Sequence, residues 1–344
     1  MSNRRLGGGR TWMVKRLGTA VTAGVAAATA LTACGAGTTS SSSAQNSVSV
    51  AYDGPTADFE AIPIIVAQKK GFYKAHGVNV NLIFPPNNST TVKMVASGQG
   101  NIGFDTTTDV AYARQAGIDM VSIANYSQFN NWALIGRPGE NINIHNLKNK
   151  KIGVFTDSWT KAMMPFILRA AGLNPNQIQP IIATTDDIVP LLASKIDIAT
   201  NTTNYAISEV KPTTGKMPSV LLATKVGAPN VPIWVYTGMS TWLKAHPKVT
   251  QDFLAGTLEG MIWATAHPQS AASIFQKAYP KNGLSLKSNL AGWESTATLL
   301  KGGSGYMKQD EHEWAQLVTS LKGVGALSNA FPPEDYFTNA YLPK

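Results

Sequence analysis

The stretch Ile64–Ile83, IIVAQKKGFYKAHGVNVNLI, passes from an apolar helix into a strand in which apolar and polar residues alternate. The helical pattern extends from Phe59 to Lys74, and upstream of it Val48–Tyr52 (VSVAY) has the alternation of another strand. Parallel strands need a crossover connection, which is usually a helix. The strand, helix, strand order therefore predicts an α/β fold with neighbouring parallel strands.

A second run of the same kind begins at Lys151. Lys151–Phe155 (KIGVF) is typical of a strand, Lys161–Ala171 of a helix that ends before Gly172, and Ile178–Ala183 (IQPIIA) of a further strand. Two α/β units therefore follow one another along the chain.

Two segments, one in each unit, are similar to each other. They are ASGQGNIGFDTTTDVAYA, which begins at Ala96, and ASKIDIATNTTNYAIS, which begins at Ala193. Each passes from a helix end through a short strand and a Thr-rich loop into the next helix, so the two units are predicted to be lobes built on one plan. In such sheets the ligand binds outside the carboxyl ends of the strands. The loops expected at the ligand are residues 54–59, 105–109, 156–160 and 201–205.

The N-terminal residues have the layout of a secretion signal. Basic residues precede the uncharged segment Leu17–Leu31, which at about 15 residues is short for a membrane span. The tripeptide Leu-Thr-Ala before Cys34 resembles the lipobox of bacterial lipoproteins, and Cys34 is the only cysteine. We expect residues 1–33 to be a signal peptide, Cys34 to be a lipidated N-terminus, and residues 34–47 to be a flexible tether. The alternative is an ordinary signal peptide, in which Cys34 is only a small apolar residue.

The net charge does not indicate a nucleic-acid partner. The formal charge is +9, from 29 Lys and Arg against 20 Asp and Glu. Five of the basic residues precede Cys34 and no acidic residue does, so the mature chain has 24 against 20, or +4. The mature part also lacks an arginine-rich arm.

Several stretches together resemble one family. They are IIVAQKKGFYKAHGVNVNLI (64–83), VKMVASGQGNIGF (92–104), GIDMVSIANYSQFNNWALIGRP (117–138) and NLKNKKIGVF (146–155). They resemble the periplasmic-type binding proteins of ABC importers for sulfonates, nitrate, taurine and thiamine-pyrimidine precursors. The likeness extends from about Val48 to about Met239.

This resemblance implies a type II periplasmic-binding-protein fold, with two α/β lobes, two crossing hinge strands and a ligand cleft between the lobes. The hinge strands are expected near Asn131–Pro138 and Val231–Gly238. Lobe 1 would comprise residues 48–131 and 239–344, and lobe 2 residues 132–238.

The family also implies partners and a location. The protein would bind a small-molecule ligand and deliver it to an ABC permease and its ATPase, without a cofactor or a metal. A monomer, held by its lipid on the extracytoplasmic side of the cell membrane, is expected. A ligand-sensing lipoprotein without a permease is an alternative that the sequence leaves open.

The residue types in the predicted loops favour a particular ligand. The loops carry several carboxylates, and the nearest cations, Arg114 and Lys161, lie further along their helices. Carboxylates repel oxyanions, whereas aromatic rings stack on flat heterocycles. We therefore expect a heteroaromatic ligand such as a thiamine pyrimidine precursor, or a flavin-like ring, with a sulfonate, taurine or nitrate as the alternative. The candidate ligand-binding residues are Asp58, Phe59, Asp105, Thr106, Thr107, Asn131, Trp132, Asp157, Trp159, Asn204, Tyr205 and Trp234.

Some of these residues also have purely structural explanations. Asp58, Asp109 and Asp157 each precede a predicted helix, where Asp is a favoured N-cap. Thr106 and Thr107 could equally be loop residues without a ligand.

The sequence does not predict an enzyme. A fold relative makes the thiamine pyrimidine with its own histidine and a cysteine-rich motif, and that motif cannot exist in a chain with one cysteine. The five histidines show no spacing typical of a metal site. We therefore expect no catalytic residues.

The lipid anchor gives the first testable prediction. Cys34→Ala removes the thiol that would carry the lipid, so the variant should lose its acyl mass in mass spectrometry. It should also move into the aqueous phase of a detergent partition. Unchanged membrane retention of the variant would count against the anchor.

Overall fold

The computed structural model describes residues 46–87, 90–184 and 186–344. The predicted signal peptide, Cys34 and residues 35–45 lie outside the described residues. Asn46 and Ser47, which were expected at the end of the tether, are the first residues of a strand. Within the described ranges, no helix is both long enough and apolar enough to cross a membrane.

Strands and helices are interspersed up to Met239, and helices dominate after it. The strands are β1 (Asn46–Ala51), β2 (Val78–Ile83), β3 (Ile102–Thr106), β4 (Met120–Asn125), β5 (Trp132–Gly136), β6 (Lys151–Val154), β7 (Gln179–Ile182), β8 (Ala199–Thr202), β9 (Ser219–Leu222), β10 (Trp234–Met239), β11 (Lys301–Gly302) and β12 (Gly305–Tyr306). The helices are α1 (Ile62–Lys70), α2 (Phe72–Ala75), α3 (Thr91–Ala96), α4 (Thr107–Gln115), α5 (Ser158–Ala171), α6 (Ile188–Leu192), α7 (Thr203–Thr214), α8 (Ser240–Ala245), α9 (Pro247–Ala266), α10 (Pro268–Ala278), α11 (Leu286–Ala297) and α12 (Glu311–Gly323).

The first sheet has the strand order β2-β1-β3-β10-β4. β1 is parallel to both β2 and β3, which confirms the strand, helix, strand unit predicted at the start of the chain. β10 lies between β3 and β4 and is antiparallel to both. The chain therefore leaves the first sheet after β4 and returns to it with β10.

The second sheet is made by the second α/β run. β5 is antiparallel to β8 on one side and to β9 on the other. β6 and β7 are parallel, and a bridge from Ile152 to Ile198 places β6 beside β8. The similar segments identified in the sequence occupy matching places, because β3 leads directly into α4 and β8 leads directly into α7.

Two chain crossings join the sheets, as the resemblance implied. Residues 126–131 run from β4 to β5, and residues 223–233 return from β9 to β10. The Ser127 hydroxyl accepts hydrogen bonds from the backbone N–H groups of Ile233 (3.3 Å) and Trp234 (3.1 Å). The Asn130 amide donates to the Pro229 carbonyl at 2.8 Å. The crossings overlap the predicted hinge ranges only at the N-terminal ends of those ranges. The rest of each predicted range does not cross, because β5 lies in the second sheet and β10 in the first.

The predicted helix from Phe59 to Lys74 is divided. A 3-10 turn at Phe59–Ala61 precedes α1, and Gly71, at φ +80°, separates α1 from α2. This left-handed conformation suits glycine, and it lets Gly71 cap the carbonyls at the end of α1.

The C-terminal helices pack in two places. α9 and α10 pack on α1 in the first lobe, as expected. α12 lies against the second lobe, where Arg169 of α5 donates to the Gly323 carbonyl at 2.9 Å. The chain after α12 returns to the first sheet, because the Ser122 N–H donates to the Tyr336 carbonyl at 2.8 Å. The C-terminal segment therefore contacts both lobes.

The close approach of α9 to α1 gives a stability prediction. A Cβ atom at Gly260 would lie 2.2 Å from the Pro63 carbonyl oxygen, so α9 could not keep its position. Gly260→Ala should therefore lower the free energy of unfolding by about 1 to 3 kcal/mol, the usual cost of overpacking a core.

Urea denaturation measures this change, and Gly323→Ala is the matched control. Gly323 is also a helical glycine, at the last position of α12, but no atom outside its neighbourhood lies within 4 Å of a Cβ there. Equal effects of the two substitutions would contradict the packing described for α1 and α9.

Candidate ligand-binding site

A cavity of about 200 Å³ lies between the two sheets. Its walls come from the residues that follow β1, β6 and β8 and from the second crossing. Three of the four predicted loops therefore contribute to it. The fourth, residues 105–109, does not line the cavity.

Aromatic side chains form much of the cavity wall: Trp132, Phe155, Trp159, Tyr205 and Trp234. The Trp234 ring stacks on Phe104, with centroids 5.2 Å apart and planes 10° apart. Phe104 in turn stacks on Tyr52 at 5.2 Å. Because Phe104 and Tyr52 are buried in the core, they fix the orientation of the Trp234 ring.

Four carboxylates also line the cavity: Asp53, Asp58, Glu60 and Asp157. None of the residues described around it is a lysine, an arginine or a histidine. A cavity with acidic groups and no opposing cation has a negative potential when the acids are ionised, which favours neutral or positively charged ligands.

Asp58 has a clear structural role. It caps the 3-10 turn at Phe59–Ala61, because its carboxylate accepts from the Glu60 N–H at 2.8 Å, and it also accepts from the Tyr52 hydroxyl at 2.6 Å. Burial raises the pKa of Asp58, and these two hydrogen bonds oppose the rise.

Asp157 is likewise the N-cap of α5. One of its oxygens accepts from the Thr160 N–H at 2.8 Å. The capping role expected for Asp58 and Asp157 is therefore confirmed, but Asp109 is not an N-cap. Thr106 caps α4, and Asp109 occupies the third helical position, where its carboxylate accepts from the Thr106 N–H at 2.9 Å.

Glu60 belongs to a buried network that connects the lobes. The Asn204 amide donates to Glu60 at 2.8 Å and to the Thr296 hydroxyl at 2.9 Å, and Asn131 donates to the Asn204 carbonyl at 2.8 Å. Burial, and then the charge of Asp58, raise the pKa of Glu60 to about 8. Asn131 and Asn204, both candidates from the sequence, thus act behind the cavity wall and not in it.

The loop of residues 105–109 contacts the other lobe directly. The hydroxyls of Thr106 and Thr108 lie 3.0 and 2.8 Å from the Ser158 hydroxyl at the start of α5. Thr107 donates to the Pro232 carbonyl at 2.8 Å, and buried Asp105 accepts from the Thr237 hydroxyl. These hydrogen bonds engage the threonine hydroxyls that were expected at the ligand, while Oδ1 of Asp105 is buried without a partner among the described residues.

Six of the twelve candidate residues line the cavity and six do not. The first group is Asp58, Trp132, Asp157, Trp159, Tyr205 and Trp234. The second is Phe59, Asp105, Thr106, Thr107, Asn131 and Asn204. Phe59 is fully buried against Gly292, where even a Cβ would be 2.5 Å from its ring.

Other lining residues were not among the candidates. Asp53 is the second residue after the first strand and could have been found from the rule on strand ends. Phe155 follows β6 in the same way. Asn282 and Leu284 come from the C-terminal helical region, where no motif marks them.

The site shows no sign of a resident metal. Among the described residues, no group of three or more His, Cys, Asp and Glu side chains could hold a metal ion.

Comparisons with known proteins agree on the family. The family model described as NMT1/THI5 like matches residues 58–271, more than half of the chain. The 4-amino-5-hydroxymethyl-2-methylpyrimidine phosphate synthase of Uromyces fabae is 21% identical, over 81% of this chain and 82% of its own. The riboflavin-binding protein RibY of Chloroflexus aurantiacus is 21% identical over 82% of each chain.

Solved structures agree on the fold. The ligand-binding component of an ABC-type import system from Staphylococcus aureus, solved with zinc bound, has a TM-score of 0.66 at 12% identity, over 86% of this chain and 98% of its own. The periplasmic aliphatic sulphonate binding protein SsuA from Escherichia coli has a TM-score of 0.63 at 13% identity, over 84% and 91%. These similarities confirm the two-lobed periplasmic-binding-protein fold.

The raised pKa of Glu60 gives a prediction about pH and stability. Folded Glu60 keeps its proton up to a pH of about 8, whereas the unfolded chain loses it near the usual value of 4.5. The folded state binds more protons between these values, so stability should fall as the pH rises from 4.5 towards 8 and then level off. Glu60→Gln should remove about 4 kcal/mol of this pH dependence from the ligand-free protein, because each unit of pKa difference corresponds to about 1.4 kcal/mol.

Chemical denaturation at pH 5 and pH 8 measures the effect. The glutamine oxygen can still accept the hydrogen bond from Asn204. Glu294→Gln, at an exposed position of α11, is the matched control. A Glu60→Gln variant with the same pH dependence as the wild type would show that Glu60 is ionised in the folded protein.

Proposed function

Because the chain belongs to the NMT1/THI5-like family, we propose that it is a solute-binding lipoprotein for an ABC importer. In this proposal, Cys34 anchors it to the extracytoplasmic side of the membrane. Its ligand is a small heteroaromatic molecule such as a thiamine pyrimidine precursor, which it passes unchanged to the permease.

One observation carries the ligand class: the cavity combines aromatic walls with carboxylates and has no lysine, arginine or histidine in its described lining. Trp159 and Trp234 offer surfaces on which a flat ring can stack. Asp58 and Asp157 each keep one carboxylate oxygen free of their capping hydrogen bonds, so they can accept from amino or ring N–H groups of a ligand.

The relatives support the same class of molecule. One is named for an aminopyrimidine phosphate and the other for riboflavin. The sulphonate-binding protein shares the fold, but a sulfonate would meet four acidic side chains in this cavity without a described cation to offset those that are ionised. The charge of the lining therefore favours the heteroaromatic ligand over the oxyanion.

Binding without catalysis is the simpler reading of the site. The fungal relative is named as a synthase. The present chain has a single cysteine, and no histidine lies in the described lining. The solved relatives named above are binding proteins, and a binding role requires only contacts that differ between the open and closed forms.

The lobe contacts suggest how ligand binding would be signalled. Hydrogen bonds join the lobes on two sides of the cavity, between Asn204 and Glu60 and between Thr106 and Ser158. A ligand that contacts both lobes adds to these bonds and stabilises the closed form. The closed form would then be what the permease recognises.

A ligand panel tests the proposal. Tryptophan fluorescence should respond to 4-amino-5-hydroxymethyl-2-methylpyrimidine or to riboflavin, and not to taurine, nitrate or alkyl sulfonates. Trp159→Ala should weaken binding by about 1 to 3 kcal/mol if the ring stacks on the ligand.

Trp242→Ala is the control, because Trp242 stacks on His246 away from the cavity and should leave affinity unchanged. Tight taurine or sulfonate binding that survives Trp159→Ala would overturn the heteroaromatic assignment.

A further inference from the structure

We infer that the cavity binds its heteroaromatic ligand as a cation, with the positive charge facing Asp53 and Asp157. This inference rests on the proposed function and specifies the charge of its ligand. A protonated ring, a quaternary ring nitrogen or an ammonium substituent would each meet the requirement.

The carboxylate of Asp53 has no partner among the described residues. This side chain is half-buried, lines the cavity, and makes no hydrogen bond or ion pair with any described residue. It is not a helix cap, unlike Asp58 and Asp157. A partly buried carboxylate without a partner weakens the folded state, so its position is better explained by a ligand than by the fold.

The charged groups around Asp53 are negative. Burial, and the charges of Asp109, Asp105, Asp157 and Glu60, raise the pKa of Asp53 well above its usual range. All the charged groups that act on Asp53 in this way are acidic. A positive charge beside Asp53 would remove this repulsion and restore the ionised form, whereas a neutral ligand would leave it in place.

Asp157 supplies a second acceptor in the cavity. It lines the cavity, and only one of its oxygens accepts the capping hydrogen bond from the Thr160 N–H. Its other oxygen can therefore accept from a positively charged group of the ligand.

The aromatic walls complete the argument. Indole and phenol rings attract cations through their faces, most strongly where water is excluded. A flat cation can therefore stack against the rings and pair with the aspartates. The aspartates would repel an oxyanion, and a neutral apolar ring would leave them without a partner.

Two matched probe pairs test the inference by isothermal titration calorimetry at neutral pH. The first is 4-amino-5-hydroxymethyl-2-methylpyrimidine against its 5-aminomethyl analogue, and the second is nicotinamide against 1-methylnicotinamide. The cationic member of at least one pair should bind more tightly by a factor on the order of ten.

Substitutions assign the preference to the aspartates. Asp53→Asn, and separately Asp157→Asn, which retains the helix cap, should reduce the preference to about threefold or less. Glu294→Gln removes one exposed negative charge outside the cavity and should leave the preference intact. A preference that survives both aspartate substitutions would overturn the assignment.

The outcomes separate this inference from the function on which it rests. Neutral probes that bind as tightly as the cationic ones, or more tightly, contradict the inference and leave heteroaromatic binding in place. If none of these probes and no flavin binds, the proposed function fails and the inference fails with it.

Discussion

The two chain crossings between the sheets are the constraint on which the rest of the structure depends. The Ser127 hydroxyl, in the first crossing, accepts from the backbone N–H groups of Ile233 and Trp234, where the chain returns to the first sheet. This arrangement brings β10 back into the first sheet and sets the second sheet opposite it. The loops after β1, β6 and β8 can then meet in one cavity, although they are far apart in the sequence.

The same arrangement explains why polar residues near the cavity divide into two groups. Thr106, Thr108 and Asn204 hydrogen-bond across the gap between the lobes and so hold the cavity closed. Asp53 and Asp157 line the cavity, and each keeps at least one carboxylate oxygen free of hydrogen bonds to the described residues. The first group provides the closure that a binding protein needs, and the second provides the unsatisfied chemistry that a ligand can complete.

The sequence predicts the fold better than it predicts the site. The alternation around Ile64–Ile83 identifies the parallel unit, because apolar periodicity reflects local burial. It cannot show that Asp105 bonds to Thr237, since that contact depends on β10 entering the sheet from late in the chain. Asn282 was not predicted as a cavity residue for the same reason, because only tertiary packing brings it to the cavity. Trp159 and Asp157 were found because they lie within a few residues of the end of β6, where the chain enters α5.

Native mass spectrometry of freshly purified protein tests the central claim, binding of a heteroaromatic cation, most directly. Proteins of this kind close around their ligand, so a bound molecule should survive gentle desolvation. The account predicts an adduct whose mass, after release and fragmentation, belongs to a nitrogen-containing aromatic compound that carries a positive charge at neutral pH. Release of an oxyanion such as a sulfonate or nitrate, or of an aromatic compound that is neutral at pH 7, from the wild-type protein would contradict it.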